Sequence, residues 1–267
     1  MKKIGLLIAL AALLVITGCA KEKGPENTVV KIGIVGSSRV WKHVKEEAAK
    51  ENITLEIVEF TDYPQPNAAL AAKEIDLNAF QHVIYLNKEK ESQGYDLTVI
   101  GKTVIAPLGL YSKTLKSLAD VKDGDTVLIP DDVTNGGRAL LLLEANGLIE
   151  VKDEAGFMPT IKDVTANPKQ LTIKEVAATN IPALLPDVAF AAVNSGVAYD
   201  AGLLNSDALL AREQVDITSD NPYINVIVAR TGEIDNPAYK RIVELYQTDA
   251  VKKIIAEDSK GSSLPVW

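Results

Sequence analysis

Cysteine, histidine and aromatic residues are scarce in this chain of 267 residues, and each scarcity excludes a class of site. The single cysteine, Cys19, excludes an intramolecular disulfide. The two histidines, His43 and His82, are not spaced as HExxH or HxH, so they form no recognisable zinc motif. The GxSxG, P-loop and GxGxxG motifs are missing too. The sequence therefore predicts no enzyme, no metal site and no cofactor.

Positive charge is also in short supply. Lysine and arginine total 28 against 36 aspartates and glutamates, which gives a formal net charge of −8. An acidic chain without a basic cluster lacks the electrostatic footprint that nucleic acids require. It also has no basic stretch that would bind an anionic membrane surface. Hydrophobic residues make up 47% of the chain, which is enough for a sizeable core.

The long apolar run at the N-terminus is too short for a membrane-spanning helix, which needs roughly 20 apolar residues. Residues 1–18 combine a cationic start, the stretch IGLLIALAALLVI and small residues before Cys19, the plan of a secretory signal peptide. ITGCA resembles the lipobox of bacterial lipoproteins, which implies lipidation of Cys19; an ordinary secretory signal is the alternative. Residues 19–28 then form a flexible tether. The expected location is extracytoplasmic, at a bacterial cell membrane.

Apolar runs alternate with helical patterns along the rest of the chain. VVKIGIV at 29–35 and ITLEIVEF at 53–60 have the composition and spacing of strands. Between them, VWKHVKEEAAKEN places Val40, Val44 and Ala48 on one face of a helix. The alternation continues beyond these elements and favours an α/β fold with a largely parallel sheet.

The segment TNGGRALLLL, which begins at residue 134, has three features that suit a carboxylate ligand. A helix N-terminus offers free N–H groups and a partial positive charge. Gly136 and Gly137 would let the backbone approach a ligand closely, with a plain loop as the alternative. Arg138 can form a bidentate pair with a carboxylate, with a surface salt bridge as the alternative.

Ring side chains concentrate just before and within DLNAFQHVIYL, although only 5% of the chain is aromatic. Tyr63, Phe80, His82 and Tyr85 can together enclose an apolar or thioether side chain. In an alternating strand, Asn78 and Phe80 would share one face, which is an unusual composition for a core. We therefore expect this face to border a cleft, with core packing of Phe80 as the alternative.

Two asparagines could supply further polar contacts to a zwitterionic ligand. Asn194 follows the apolar run DVAFAAV, and ligands of open α/β sheets gather at the ends of such strands. Asn225 lies inside the apolar run PYINVIV. Each amide can both donate and accept a hydrogen bond. The alternatives are a helix N-cap for Asn194 and a buried amide bonded to backbone for Asn225.

These segments together resemble the methionine-binding lipoproteins that deliver their ligand to ABC importers. The likeness covers nearly all of the chain after the tether and includes DYPQPNAAL, IDLNAFQH, DVTNGGRALLLL, AAVNSGVAYDAGL and NPYINVIV. The resemblance implies a cage for the methionine side chain, a guanidinium for its carboxylate and two amides for its remaining polar atoms. These roles fall on Tyr63, Phe80, His82, Tyr85, Arg138, Asn194 and Asn225.

The same resemblance implies a type II periplasmic-binding-protein fold, with two α/β lobes joined by a two-crossing hinge. Residues 29–107 with 226–267 would form lobe 1, and residues 108–225 lobe 2. The implied partners are L- or D-methionine, an ABC permease with its cytoplasmic ATPase and the membrane through the lipid, and the chain would be a monomer. The alternatives are a methionine-containing dipeptide or another amino acid as ligand, or a surface lipoprotein with an adhesin or sensor role.

Two features near the predicted cage depart from the family pattern. NAFQHVIYL has Val83 and Ile84 where family members often carry Lys-Pro. Trp41 has no counterpart in the pattern, and it would either line the cleft or pack the first helix. Either departure could alter the choice of ligand.

Overall fold

The computed structural model describes residues 27–204, 206–217 and 221–267. The predicted signal peptide, Cys19 and most of the predicted tether lie outside these described residues. Among the described helices, none combines the length and the apolar character needed to cross a bilayer.

The first of two main sheets has six strands and is assembled from both ends of the described chain. Its spatial order is β13-β4-β12-β3-β1-β2. The first strand of the chain lies next to one edge and pairs in parallel with both of its neighbours, whereas the last two strands of the chain run antiparallel to theirs. The strands are β1 (Thr28–Val35), β2 (Ile53–Phe60), β3 (Leu77–Asn78), β4 (Leu97–Ile105), β12 (Ile224–Arg230) and β13 (Leu264–Pro265).

Helices cover both faces of the first sheet, because its strands are apolar on both sides. One face carries a core with Ile32, Leu55 and Ile242, and the other a core with Leu70, Leu86 and Val228. The helices are α1 (Arg39–Ala49), α2 (Pro64–Ala71), α3 (Val83–Gln93), α7 (Pro237–Tyr246) and α8 (Asp249–Ser259).

The second main sheet has five strands in the order β11-β5-β10-β6-β9, and it also has a buried core on each face. A separate two-stranded sheet pairs β7 with β8. The strands are β5 (Gly109–Tyr111), β6 (Thr126–Pro130), β7 (Glu150–Val151), β8 (Val164–Ala166), β9 (Thr172–Val176), β10 (Phe190–Val193) and β11 (Leu209–Arg212). The helices are α4 (Val133–Ala145), α5 (Ile181–Leu184) and α6 (Ser195–Asp200).

The chain passes between the two sheets twice. The first passage lies between the end of β4 at Ile105 and the start of β5 at Gly109, and the second lies between Arg212 of β11 and Ile224 of β12. The predicted fold of two α/β lobes with a two-crossing hinge is therefore confirmed. The expectation of a largely parallel sheet is wrong, because strands that enter or leave a crossing run against their neighbours in both sheets.

The strand predicted over DLNAFQ is also shorter than expected. Only Leu77 and Asn78 belong to β3. The backbone then leaves the sheet, so that Phe80 turns toward the cleft between the lobes while the Gln81 side chain is buried. An isolated antiparallel bridge between His82 and Asn225 of β12 holds the backbone just beyond this point.

Candidate functional site

A cavity of about 640 Å³ lies between the two sheets and takes its walls from both lobes. All seven residues predicted to bind ligand line it. The first lobe supplies the aromatic group and the second lobe supplies the start of α4 and the end of β10. The seven are Tyr63, Phe80, His82, Tyr85, Arg138, Asn194 and Asn225.

Arg138 is buried at 3% exposure, and most of its donors are already occupied. Its Nε donates to both carboxylate oxygens of Glu213 at 2.9 and 3.1 Å, and Nη2 donates to Glu213 Oε2 at 2.6 Å. Nη2 also donates to the Ala106 carbonyl at 2.9 Å, and the guanidinium carbon lies 4.3 Å from the centre of the Tyr223 ring. Among the described residues, none accepts a hydrogen bond from Nη1. The guanidinium therefore has one open edge.

The pairing of Arg138 with Glu213 was missed by sequence reasoning. A surface salt bridge was the alternative considered for Arg138, and the observed pair is instead buried, with side-chain exposures of 3% and 15%. Glu213 lies 75 residues further along the chain, just after β11. A single acid after a short strand carries no signal of its own, so only the tertiary structure reveals the pair.

The N-terminus of α4 is arranged differently from the prediction. Asp132 caps the helix by accepting hydrogen bonds from the N–H groups of Thr134 and Asn135. These N–H groups are therefore satisfied internally. Gly136 and Gly137 lie within the helix and face protein backbone. A Cβ added to Gly136 would lie 2.7 Å from the Pro130 carbonyl oxygen, and one added to Gly137 would lie 2.8 Å from Met158 Cα. The expected close approach of a ligand to the helix end and its glycines is therefore not what the geometry offers, because neither glycine lines the cavity; Asn135 and Arg138 are the residues of the motif that border it.

Asn135 is a cavity residue that sequence reasoning also missed, although it lies inside the quoted motif. Its Oδ1 accepts from Asn194 Nδ2 at 2.7 Å and bonds His82 Nε2 at 3.1 Å. Its own Nδ2 donates to Asp132 Oδ2 at 2.9 Å. Asn135 therefore links the helix cap to two predicted site residues, one in each lobe.

His82 is held in one tautomer by these contacts. Its Nδ1 accepts from the Tyr85 backbone N–H at 3.2 Å, so the proton of the neutral ring is on Nε2, which donates to Asn135 Oδ1. Burial, together with the nearby positive charge of Arg138, lowers the pKa of His82 to about 3. His82 is therefore a neutral wall of the cavity and the N-cap of α3.

Asn194 stands at the N-cap position of α6, but its side chain does not cap that helix. Instead Nδ2 donates to Asn135, and Oδ1 is buried without a hydrogen-bond partner in the described part of the chain. A buried oxygen without a partner is unfavourable by about 1–3 kcal/mol unless a ligand donor reaches it. The geometry thus favours ligand contact over helix capping.

Asn225 lies in β12 and lines the cavity opposite the second lobe. Its backbone forms the bridge with His82, while its side-chain amide makes no hydrogen bond to any described residue. The alternative of an amide bonded to backbone is therefore not what the structure shows. The amide is available to a ligand.

The aromatic residues form a compact cage in the wall of the cavity. The ring centres of Tyr63, Phe80 and Tyr85 are 5.8 to 6.1 Å apart, with edge-to-face or tilted geometry. Burial raises the pKa of Tyr63 and of Tyr85, so both phenols stay neutral. Tyr63 also packs against the apolar core of the second lobe. The cage therefore presents uncharged, apolar surface to the cavity.

Three buried amides stiffen the segment that carries the cage. Asn67 Nδ2 donates to Gln81 Oε1 at 2.8 Å, and Asn78 Nδ2 donates to Asn67 Oδ1 at 2.9 Å. Gln81 Nε2 donates to Asn78 Oδ1 at 2.9 Å. These closed contacts explain why Asn78 faces inward, and they fix the backbone from which Phe80 projects.

The two features that depart from the family pattern, Trp41 and the pair Val83 and Ile84, differ in their relation to the cavity. Trp41 is 4% exposed, contacts the Tyr246 ring at a centre distance of 4.9 Å and also borders the cavity, so it both packs α1 and lines the cleft. Val83 packs into the core beside α2 and α3, and the Ile84 N–H donates to the Pro222 carbonyl. Neither Val83 nor Ile84 lines the cavity.

Comparison with known proteins gives consistent relatives over the full length. The family model described as NlpA lipoprotein matches residues 30–267. The probable D-methionine-binding lipoprotein MetQ of Vibrio cholerae is 36% identical over 271 residues, which cover 100% of this chain and 98% of the relative.

Two solved structures are similar in both sequence and fold. A nutrient binding protein from Burkholderia cenocepacia bound to methionine is 38% identical with a TM-score of 0.83, and the match covers 89% of this chain and 100% of that one. The substrate binding protein of a methionine transporter from Streptococcus pneumoniae is 37% identical with a TM-score of 0.83, and the match covers 90% of this chain and 96% of that one.

Proposed function

The chain belongs to the NlpA lipoprotein family, and we propose that it is an extracytoplasmic substrate-binding lipoprotein that captures methionine and delivers it to an ABC importer. The observation that carries this proposal is that one interlobe cavity contains both unsatisfied polar groups, on Arg138, Asn194 and Asn225, and an aromatic cage. An α-amino acid with an apolar side chain has the complementary arrangement. The names of the relatives supply methionine as the member of that class.

The polar residues Arg138, Asn194 and Asn225 offer hydrogen-bonding groups for both charged parts of an amino acid. The open Nη1 edge of Arg138 can donate to the carboxylate. The unpartnered Oδ1 of Asn194 can accept from the ammonium, and the amide of Asn225 can serve either group. Hydrogen bonds to protein already hold the side chains of Arg138 and Asn194, so binding does not have to order these two groups first.

The cage suits a flexible thioether. Sulfur near the edge of an aromatic ring is favourable by about 0.3–1.5 kcal/mol per contact, and three rings converge here. None of the cage residues carries charge, so a charged side chain would lose its hydration without compensation.

The proposal requires binding and closure but no covalent chemistry, so we infer that the protein is not an enzyme. Lipid at Cys19 would anchor a monomer to the membrane, and the permease would recognise the closed shape. We assign residues 29–107 with 226–267 to lobe 1 and residues 108–225 to lobe 2. A ligand that contacts both lobes favours closure through contacts that an open form lacks.

Titration calorimetry on ligand-stripped protein tests the proposal. Unfolding and refolding remove any bound ligand, after which L-methionine, D-methionine, glycyl-methionine and alanine are titrated separately. We expect a methionine compound to bind with micromolar or tighter affinity, about −8 kcal/mol or more negative. Phe80→Ala should weaken methionine more than alanine, because it removes side-chain packing only. An absence of binding by every methionine compound would refute the proposal.

A methionine-containing dipeptide is a second candidate, favoured by the size of the cavity. Its volume is about 640 Å³, and its lining includes Trp41 and Ser259 as well as the cage. Native mass spectrometry of protein purified without added ligand separates the candidates by mass. A mass increase equal to methionine supports the amino acid, a dipeptide mass supports the second candidate, and a ligand-free protein favours the adhesin or sensor role.

A further inference from the structure

The carboxylate of Glu213 forms a salt bridge with the guanidinium of Arg138, and its position suggests a role in choosing the ligand. We propose that Glu213 is a specificity-determining residue: it cancels the charge of Arg138, so that the site takes a net-neutral zwitterion and rejects an anion with the same carboxylate and side chain. This inference rests on the proposed amino-acid ligand and adds the reason why the ammonium is required.

Glu213 is held in place by both crossings between the lobes. Its Oε2 accepts from the Leu108 N–H at 2.9 Å, and its own N–H donates to the Leu108 carbonyl at 2.9 Å. The same carboxylate takes three hydrogen bonds from Arg138. These contacts form a salt bridge between the guanidinium and the carboxylate. The pair therefore carries one positive and one negative charge in fixed geometry.

The orientation of the pair leaves the ligand a single edge of the guanidinium. Nε and Nη2 point at Glu213 and Ala106, and Tyr223 covers one face of the guanidinium. A ligand carboxylate thus meets hydrogen-bond donors whose positive charge is already matched. In water-poor surroundings, an added unmatched negative charge is unfavourable.

Among the described residues that line the cavity, no other titratable group supplies a spare positive charge. His82 is neutral, and Asp132 lies behind Asn135 as the helix cap. Asp200 lines the cavity at its rim and accepts from Ser37. A ligand must therefore bring its own cation, and the unpartnered Oδ1 of Asn194 is an acceptor suited to an ammonium.

The experiment compares two ligands that differ only in the ammonium group. These are methionine and 2-hydroxy-4-(methylthio)butanoate, in which a hydroxyl replaces the ammonium. The quantity measured by calorimetry is the ratio of their affinities in wild-type protein, in Glu213→Gln and in Glu213→Asp. Glu233→Gln is the matched control, because Glu233 forms a similar pair with Arg230 outside the cavity.

We expect Glu213→Gln to reduce the preference for methionine by at least roughly tenfold, mainly by improving binding of the anion. Glu213→Asp keeps the charge and should keep the preference even if both affinities fall. Glu233→Gln should leave the ratio unchanged. A ratio that stays the same in Glu213→Gln, or that falls equally in Glu213→Asp, would overturn the inference. Wild-type protein that binds neither compound would instead refute the proposed function.

Discussion

Individual polar side chains in the cleft fall into two groups according to their hydrogen bonds. His82 and Asn135 use their polar atoms within the protein. By contrast, Asn194 Oδ1 and the Asn225 amide have no partner among the described residues, although each borders the cavity. Buried polar groups are nearly always paired in folded proteins, so the buried and unpaired Asn194 Oδ1 indicates where a ligand donor belongs, whereas the partly exposed Asn225 amide is merely available.

Asn225→Ala is a direct test at the residue scale. Because the amide makes no hydrogen bond within the part of the chain that the structure describes, its removal should change the free energy of unfolding by less than about 0.5 kcal/mol. Ligand affinity should fall by about tenfold, the equivalent of one hydrogen bond. Asn146→Ala, at the far end of α4, is the control and should leave affinity unchanged. Normal methionine affinity in Asn225→Ala would remove this residue from the site.

His82 gives the ligand-free protein a distinct pH dependence. Its folded-state pKa of about 3 is below the ordinary value of 6.5, so between these values the unfolded chain binds a proton that the folded protein does not. Stability contributed by neutral His82 is therefore complete above pH 6.5 and is lost as the pH falls toward 3. The loss amounts to about 1.4 kcal/mol per pH unit within that window.

Urea denaturation of wild-type protein and His82→Gln at pH 7 and pH 5 measures this contribution. We expect wild-type protein to lose about 2 kcal/mol more than the variant between these pH values, which is the slope multiplied by the 1.5 units below 6.5. The comparison cancels the contributions of other titrating groups. Equal losses in the two proteins would mean that His82 is not buried in its neutral form.

At the scale of elements, the first turn of α4 positions several polar side chains of the site. Asp132 caps the helix and also accepts from Asn135, which in turn contacts His82 and Asn194. Arg138 lies in the same helix, three residues after Asn135. Loss of the cap should therefore disturb ligand binding as well as helix stability.

Asp132→Ala separates these two effects when it is compared with Asn236→Ala. Each residue caps a helix by accepting from backbone N–H groups, α4 in one case and α7 in the other. Both substitutions should destabilise the protein by about 0.5–2 kcal/mol. Only Asp132→Ala should also weaken ligand binding, by about tenfold, through the loss of one anchoring hydrogen bond. Equal affinity in the two variants would contradict the role assigned to Asp132.

Elements and site could be predicted from sequence to different extents. Apolar periodicity located α1, in which the predicted face of Val40, Val44 and Ala48 is buried. The strand over DLNAFQ was predicted too long, because alternation does not reveal that Asn78 and Gln81 bond to each other. Glu213 gave no local signal, since its partner is brought close only by the second crossing of the chain.

At the scale of the whole molecule, the two lobes touch at separate points around the cavity. His82 of the first lobe contacts Asn135 of the second. At the rim, Ser37 Oγ donates to Asp200 Oδ1 at 2.8 Å. Gly36 permits this approach, because it has a φ of +72° and an added Cβ would lie 1.8 Å from Asp200 Oδ2. The structure therefore has the contacts expected of a closed form.

Ser37→Ala removes one of these interlobe contacts without altering Arg138, Asn194 or Asn225. A partly exposed contact of this kind contributes up to about 1 kcal/mol, so affinity should fall roughly two- to fivefold. Most of that change should appear as faster ligand dissociation, measured by stopped-flow fluorescence, because the contact belongs to the closed form. Ser92→Ala, on the outer part of α3, is the control. An unchanged dissociation rate would exclude Ser37 from closure.

A crystal structure of the chain grown with methionine tests the central claim most directly. The account predicts one methionine between the lobes, with its carboxylate within about 3 Å of Arg138 Nη1 and its ammonium at Asn194 Oδ1. Its thioether should lie among the rings of Tyr63, Phe80 and Tyr85. Methionine bound elsewhere, or an empty interlobe cavity at saturating ligand, would contradict the account.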